Sequence, residues 1–353
     1  MAARSRPRPH QADAPDVPSE RAQFSRELAA LHAKPLWERS IDMGPGNDVV
    51  PCIWRWRDLR PQLLRAAELI STAEAERRVL MLENPGIAGS TYTTTCINAG
   101  LQIIMPGEVA PAHRHSTNAL RFIVEGSGAY STVEGERVAM QPGDFVLTPY
   151  WTWHDHGHAG SEPVVWLDAL DNPIAKMLGA MFREHSPHAT HPVTRAANEA
   201  GLRWGEHLLP VGVNVPGLAS PLMVYPYERT RATLLKLARL GPVDPVHGVK
   251  LRYANPANGG YPFPTMAVFI QWLPSGFAGA EYRATDGTIF CVVEGRGRIR
   301  FGAQVLDFEP RDIFVAPSWT QYTLDADDEC ILFSCSDRAA QEALGFWREQ
   351  RPE

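Results

Sequence analysis

Three histidines carry the most specific chemistry in this chain: His113 and His115 two residues apart, and His154 about forty residues later in WTWHDHGH. Residues i and i+2 of a strand face the same way, so both members of the pair can point into one barrel. The turn Pro142-Gly-Asp and the run FVLTP lead to His154, and the hairpin return of an antiparallel barrel would set it opposite the pair. Three neutral imidazoles leave up to three positions open on an octahedral metal, room for a chelating substrate together with dioxygen. That favours iron(II). Zinc also takes three histidines plus water and is the alternative the residues leave open.

Other polar residues cluster in sequence around these three. Arg121 follows His115 by six residues, so strict alternation puts it on the ligand face. A planar guanidinium there could clamp a carboxylate bidentately; the competing reading is a surface ion pair with Glu125 or Glu136. His156 is two beyond His154 and could act as an acid or base, since imidazole titrates near neutrality. Asp168, in VVWLDALD, could orient a histidine by hydrogen bonding. His158 reads as a loop residue, and Trp151 and Trp153 as core or pocket wall.

These side chains need a scaffold, and the chain reads as all-β. Thirty prolines and 28 glycines punctuate short runs rich in Val, Ile, Phe and Thr, the pattern of many brief strands joined by turns. The scaffold is duplicated. RFIVEG from Arg121 and PGDFVLTPYWTWH from Pro142 recur as FCVVEG from Phe290 and PRDIFVAPSWTQY from Pro310. Glu125 matches Glu294, Asp144 matches Asp312, Pro149 matches Pro317 and Trp151 matches Trp319. The two copies are placed at 86–185 and 256–345, each a jelly-roll barrel. A disordered tail is expected over 1–22, and a helical arm over 23–85, where Phe24, Leu28, Leu31 and Leu36 recur at helical spacing. A linker with mixed helical signal fills 186–255. In the second copy Tyr282, Ala284 and Tyr322 occupy the positions of His113, His115 and His154, and Phe290 that of Arg121. That barrel is expected to be metal-free, leaving one metal per protomer.

Composition narrows the partners. With 353 residues and a formal charge of −6, the chain has length for two domains and lacks the basic excess that phosphate binding requires. Five cysteines, odd in number and without CxxC spacing, read as reduced thiols of a cytoplasmic protein. No run approaches the ~18 apolar residues of a membrane helix, and the first twenty residues lack the apolar region of a secretory signal.

The segment GEVAPAHRH from Gly107 to His115, followed by Gly126, resembles the first cupin motif; Gly143, Pro149 and His154 resemble the second. Two departures stand out. Ala119 replaces a metal-binding Glu of many cupins, and Trp151 replaces a usual Gly. A three-histidine site without the carboxylate, with HRHSTNALRFIVEG and PGDFVLTPYWTWHDHG, is similar to the hallmark of the gentisate 1,2-dioxygenase and salicylate 1,2-dioxygenase family, a likeness that takes in both barrels and the PLWE element at Pro35. The resemblance implies a bicupin fold, Fe(II) on the three histidines, and a homotetramer. It also implies opening of the bond between the carboxyl-bearing and hydroxyl-bearing carbons of a salicylate-type acid with both atoms of O2, giving maleylpyruvate from gentisate. Arg121 would line the site, Gln102 would contact substrate, and Arg77 or Arg78 would reach in from the N-terminal region. Asn98 stands where typical gentisate enzymes carry an aromatic residue, so a nitro-, amino- or halosalicylate or 1-hydroxy-2-naphthoate is the alternative substrate. Two readings of other classes remain beside this one: a non-catalytic cupin that binds a small ligand, and a zinc-dependent isomerase.

Overall fold

The computed structural model describes residues 17–40, 44–206, 208, 211–212 and 217–352. Met1–Gly46 and Asn47–Glu353 form two compact units. In the first, a helix spans Val17–Ala30 and a short 3-10 turn spans Leu36–Glu38, with the Ser25 hydroxyl donating to the Glu38 carboxylate at 2.7 Å. The expected tail lies outside the described residues as far as residue 16; from Val17 the chain is already helical, with Pro18 in the first turn, where a missing N–H costs nothing. No helix among the described residues is long and apolar enough to cross a membrane.

The second unit is an all-β bicupin, each barrel with one six-stranded sheet and an opposing smaller one. In the first barrel the larger sheet runs Val224–Tyr225, Phe145–Thr148, Ala119–Glu125, Val164–Leu170, Asn98–Ile104, Arg78–Met81. Facing it is a five-stranded sheet in the order Arg183–His185, Val109–His115, His154–His158, Ala129–Val133, Glu136–Ala139. The second barrel repeats the larger sheet as Cys52–Trp54, Ile313–Ala316, Thr288–Glu294, Cys330–Ser336, Ala267–Leu273, Val249–Arg252.

The backs of the two six-stranded sheets pack on each other. Leu101, Leu120, Phe122 and Leu167 of one share a core with Ile270, Ile289, Ile331 and Phe333 of the other, and the Phe122 and Phe333 rings stack 4.0 Å apart. Such strands are buried on both faces, so Asn98–Ile104 reads as a continuous buried run rather than an alternating one. With Leu101 and Leu167 committed to the shared core, alternation sends Asn98, Gly100, Gln102 and Asp168 into the barrel. Arg121, between Leu120 and Phe122, faces the same interior.

The expected helical arm and linker turn out to be matching parts of the repeat. Each holds a strand, a helix and a strand: Cys52–Trp54, Trp56–Leu69 and Arg78–Met81 before the first barrel, Val224–Tyr225, Tyr227–Ala238 and Val249–Arg252 before the second. The leading strands are exchanged, since Cys52–Trp54 pairs with Ile313–Ala316 and Val224–Tyr225 with Phe145–Thr148. The helix N-termini are exchanged as well. Asp312 accepts from the Trp56 backbone N–H and Asp144 from that of Tyr227, each at 2.8 Å. Glu125 in turn takes Arg60 at 2.9 Å and Glu294 takes Arg231 at 2.7 Å. Thus the acidic residues that run in step through the repeat join the barrels rather than serve chemistry.

Candidate metal centre

The ligand strand Val109–His115 pairs directly with His154–His158, and in that register His113 lies opposite His154. The pairing skips one residue between Ala110 and His113, a bulge of the kind that re-aims side chains near sites. His113 and His115, two apart, then face inward together. Ring centroids lie 4.2 Å apart for His113 and His154, 4.9 Å for His115 and His154, and 5.3 Å for His113 and His115. One nitrogen from each falls within 4.8 Å of the others, the one such group of His, Cys, Asp and Glu among the described residues. With metal–imidazole bonds of about 2.1 Å, an ion at the centre draws each nitrogen in by less than about 1 Å.

Nδ1 of His115 donates to the Thr117 carbonyl at 2.8 Å, and Nδ1 of His154 to the Thr152 carbonyl at 2.9 Å. That places both protons on Nδ1 and leaves Nε2 bare, and Nε2 of His154 is buried without a partner. On His113 the order is reversed. Arg77 donates to its Nδ1 at 2.7 Å and to the Pro111 carbonyl at 3.0 Å. All three rings are held neutral: burial lowers each pKa and the guanidinium charges of Arg77 and Arg121 add to it at His113 and His115, bringing His115 to about 4. A buried, orphaned Nε2 within reach of two more imidazoles suits a divalent metal that prefers nitrogen.

Above the histidines lies a cavity of about 370 Å³ lined by Arg77, Asn98, Gln102, Arg121 and Asp168 among others. A cleft of about 680 Å³, bordered by Trp204, Tyr225 and Tyr253, includes none of the three histidines.

Arg121 is not at the surface. It is 3% exposed, lies 3.3 Å from Asp168 through Nε, and donates to the Thr148 hydroxyl. Asp168 therefore does not orient a histidine: it sits opposite Arg121 in the strand register and also accepts from the Trp166 indole at 3.0 Å. His156 lies deeper, its Nδ1 2.7 Å from the Ser131 hydroxyl, its Nε2 buried without a partner and its ring 5.7 Å from that of His154. Burial, then the Arg121 and Arg77 charges, keep it neutral too. Of the two arginines expected from the N-terminal region, Arg77 reaches the site. Arg78 is paired with Glu108 and donates to the Ala67 and Ile70 carbonyls instead.

Two expectations are corrected. His158 ends a strand rather than lying in a loop, buried with its ring nitrogens held by the Glu162 carbonyl and the Gly160 N–H. Trp151 and Trp153 are not core: Trp151 is 36% exposed, and the two rings flank the Arg114 guanidinium at 4.4 and 4.7 Å. Trp151 has φ 59°, as Trp319 has φ 56° in the second barrel, which explains why cupins favour Gly there. A left-handed Trp costs about 1 kcal/mol. The Trp151 N–H donates to the His115 carbonyl at 2.7 Å, so the strained turn anchors the ligand strand. Sequence reasoning missed the strand Arg183–His185, which pairs with His113–His115 and brings Met181, Phe182 and Arg183 to the cavity. The sequence signal was slight, an apolar Met181-Phe182 pair ahead of the polar Arg183-Glu-His.

In the second barrel the matching positions also meet. Tyr282 bridges Tyr322 as His113 pairs with His154, and the rings lie 5.7 Å apart. Phe290, Phe308 and Phe314 stack in its interior, with centroids 4.9 and 5.1 Å apart.

Comparison with known proteins agrees with this architecture. Residues 100–170 match the model of a family described as a cupin domain. A gentisate 1,2-dioxygenase from Aquipseudomonas alcaligenes is 44% identical over 96% of this chain and 98% of its own. A 5-aminosalicylate 1,2-dioxygenase from a Comamonas species is 34% identical over 93% of this chain and 91% of its own. The crystal structure of a salicylate 1,2-dioxygenase from Pseudoaminobacter salicylatoxidans, as adducts with gentisate, superposes with a TM-score of 0.88 at 33% identity, covering 96% of this chain and 95% of that one. On this likeness along almost the whole chain, with the three-histidine cluster in the first barrel, the protein belongs to the gentisate and salicylate 1,2-dioxygenase family of ring-cleaving cupin enzymes.

Proposed function

We propose that the protein is an Fe(II)-dependent 1,2-dioxygenase that opens the ring of a salicylate-type acid between its carboxyl-bearing and hydroxyl-bearing carbons, with gentisate to maleylpyruvate as the leading reaction. The observation that carries this reading is the convergence of His113, His115 and His154 beneath a cavity that Arg77 and Arg121 make positive. His113, His115 and His154 would hold the iron, one per chain, and bound there it supplies the redox chemistry that lets dioxygen react with an aromatic ring.

The chain's residues supply orientation. Arg121, kept in place by Asp168 and Thr148, meets the substrate carboxylate away from bulk water, where such a pair is strong. Arg77, whose guanidinium reaches the Nδ1 of His113 and the Pro111 carbonyl, would add positive charge beside the same carboxylate. Gln102 offers its amide from the neighbouring strand. His156, fixed by Ser131 and neutral, accepts a hydrogen bond from a substrate hydroxyl at its free Nε2. Val79, Met81 and Leu170 give the ring an apolar wall.

The polar Asn98 in that cavity favours a second reading within the class, 5-aminosalicylate in place of gentisate, since the amino group offers the same donor as the hydroxyl. A cytoplasmic homotetramer completes the proposal, and sedimentation of the purified protein tests the assembly. The reaction itself is tested by loading the protein anaerobically with Fe(II) and admitting air with each acid in turn. Ring-fission absorbance with uptake of one O2 per acid is expected, strongest with gentisate. A zinc-loaded protein that acts on its substrate without oxygen, or a protein that binds the acids and consumes no oxygen, contradicts it.

A further inference from the structure

Asn98 opens the strand Asn98–Ile104, and its inward neighbours Gly100 and Gln102 line the same cavity. The strand register orders the cavity into layers. Gln102 lies opposite Trp166, Gly100 opposite Asp168, and Asn98 opposite Leu170. Arg121 pairs with Asp168, so Asn98 stands one inward position from the guanidinium layer, ~7 Å along the strand. Gly100, between them, bears no side chain, and Val79 and Met81 close over its backbone.

Asn98 is 7% exposed, and its Oδ1 is buried without a partner. Around it Val79, Met81 and Leu170 are apolar. A buried carbonyl oxygen in such surroundings is unfavourable until a donor reaches it. None of these three side chains can supply one, and Asn98 itself lines the cavity.

We propose that Asn98 is a specificity-determining residue whose Oδ1 accepts a hydrogen bond from a donor on the far edge of the aromatic ring. The site then selects acids with a hydroxyl or amino group at the ring position across from the chelating hydroxyl, over acids with hydrogen, halogen or nitro there. This rests on the reading of the cavity as the site of a salicylate-type acid. With the carboxylate at the Arg121 layer, the far edge of the ring reaches the Asn98 layer. A site built to pair with a substrate donor discriminates against analogues that lack it because its own buried acceptor is left unpaired.

The test compares gentisate, 5-aminosalicylate, salicylate and 5-fluorosalicylate on iron-loaded wild-type and Asn98→Leu protein. Two quantities are read: kcat/KM, and anaerobic dissociation constants by calorimetry. Fluorine matches hydroxyl in size without donating. The wild type is expected to favour gentisate over 5-fluorosalicylate by about tenfold or more in both quantities, and Asn98→Leu to bring that ratio close to unity. A general loss of activity does not move the ratio. Should Asn98→Leu fail to fold, Asn98→Ser, which keeps a polar acceptor, is expected to retain a preference for the donor-bearing acids. Equal handling of gentisate and 5-fluorosalicylate by the wild type overturns the inference alone, as does a preference for the fluoro acid or an unchanged ratio in Asn98→Leu. Failure to turn over any of the four overturns the dioxygenase reading as well.

Discussion

At the scale of single residues, the site is organised by what each ring nitrogen touches. His115 and His154 use backbone carbonyls two residues away, and His113 uses Arg77. The histidine spacing was readable because strand parity depends only on separation in sequence. The carbonyl partners were not, since every residue offers one and only the fold chooses among them. Burial and nearby guanidinium charge depress the pKa values of all three rings, so protons compete poorly with a metal. Apparent metal affinity is therefore expected to change by less than about threefold between about pH 7.5 and pH 6, measured by competition with a chelator. Three histidines at the ordinary value of 6.5 would lose roughly fiftyfold over that range. Asp168 shows the limit of reading a residue without its register: it seemed suited to a histidine and in fact balances Arg121. Asp168→Ala leaves that guanidinium buried and unpaired, and a loss of about 3–5 kcal/mol in denaturant unfolding is expected; a loss below about 1 kcal/mol would show that Arg121 is not dependent on it.

The elements reveal what the repeat motif is for. Asp144 and Asp312 were visible as matching positions, yet their work is to cap helices whose leading strands sit in the opposite barrel's sheet. The preceding strand–helix–strand segments escaped notice because few positions stay in step, chiefly Arg60 with Arg231 and Leu63 with Leu234. Both leucines are fully buried, so the match is one of packing rather than of sequence. Asp312→Ala and Asp144→Ala are each expected to lower unfolding free energy by about 0.5–2 kcal/mol, the usual value of a helix N-cap. Because each cap lies at a junction of the two barrels, hydrogen exchange should quicken in the helix Trp56–Leu69 for the first variant and in Tyr227–Ala238 for the second. Protection that stays unchanged in those helices argues against the exchanged-cap arrangement.

For the molecule as a whole, a duplicated barrel has kept its frame and divided its labour. The all-β class, the repeat and the first-barrel site were legible from strand-sized runs and motif spacing. The exchange of strands between barrels was not, because pairing between positions as distant in sequence as Cys52 and Val315 leaves no local trace. One barrel gathers three imidazoles beside a cavity lined by three guanidiniums, those of Arg77, Arg121 and Arg183, while the other fills its interior with stacked phenylalanines and a tyrosine pair. The central claim is that the first barrel alone holds the metal, through all three histidines. Metal content of anaerobically iron-loaded protein, determined by mass spectrometry after exhaustive dialysis, tests this most directly in the wild type and in the alanine variants of His113, His115 and His154. About one iron per chain is expected in the wild type, with affinity lowered more than about a hundredfold in each variant, so that each emerges essentially empty. Iron retained in full by His154→Ala would contradict the account.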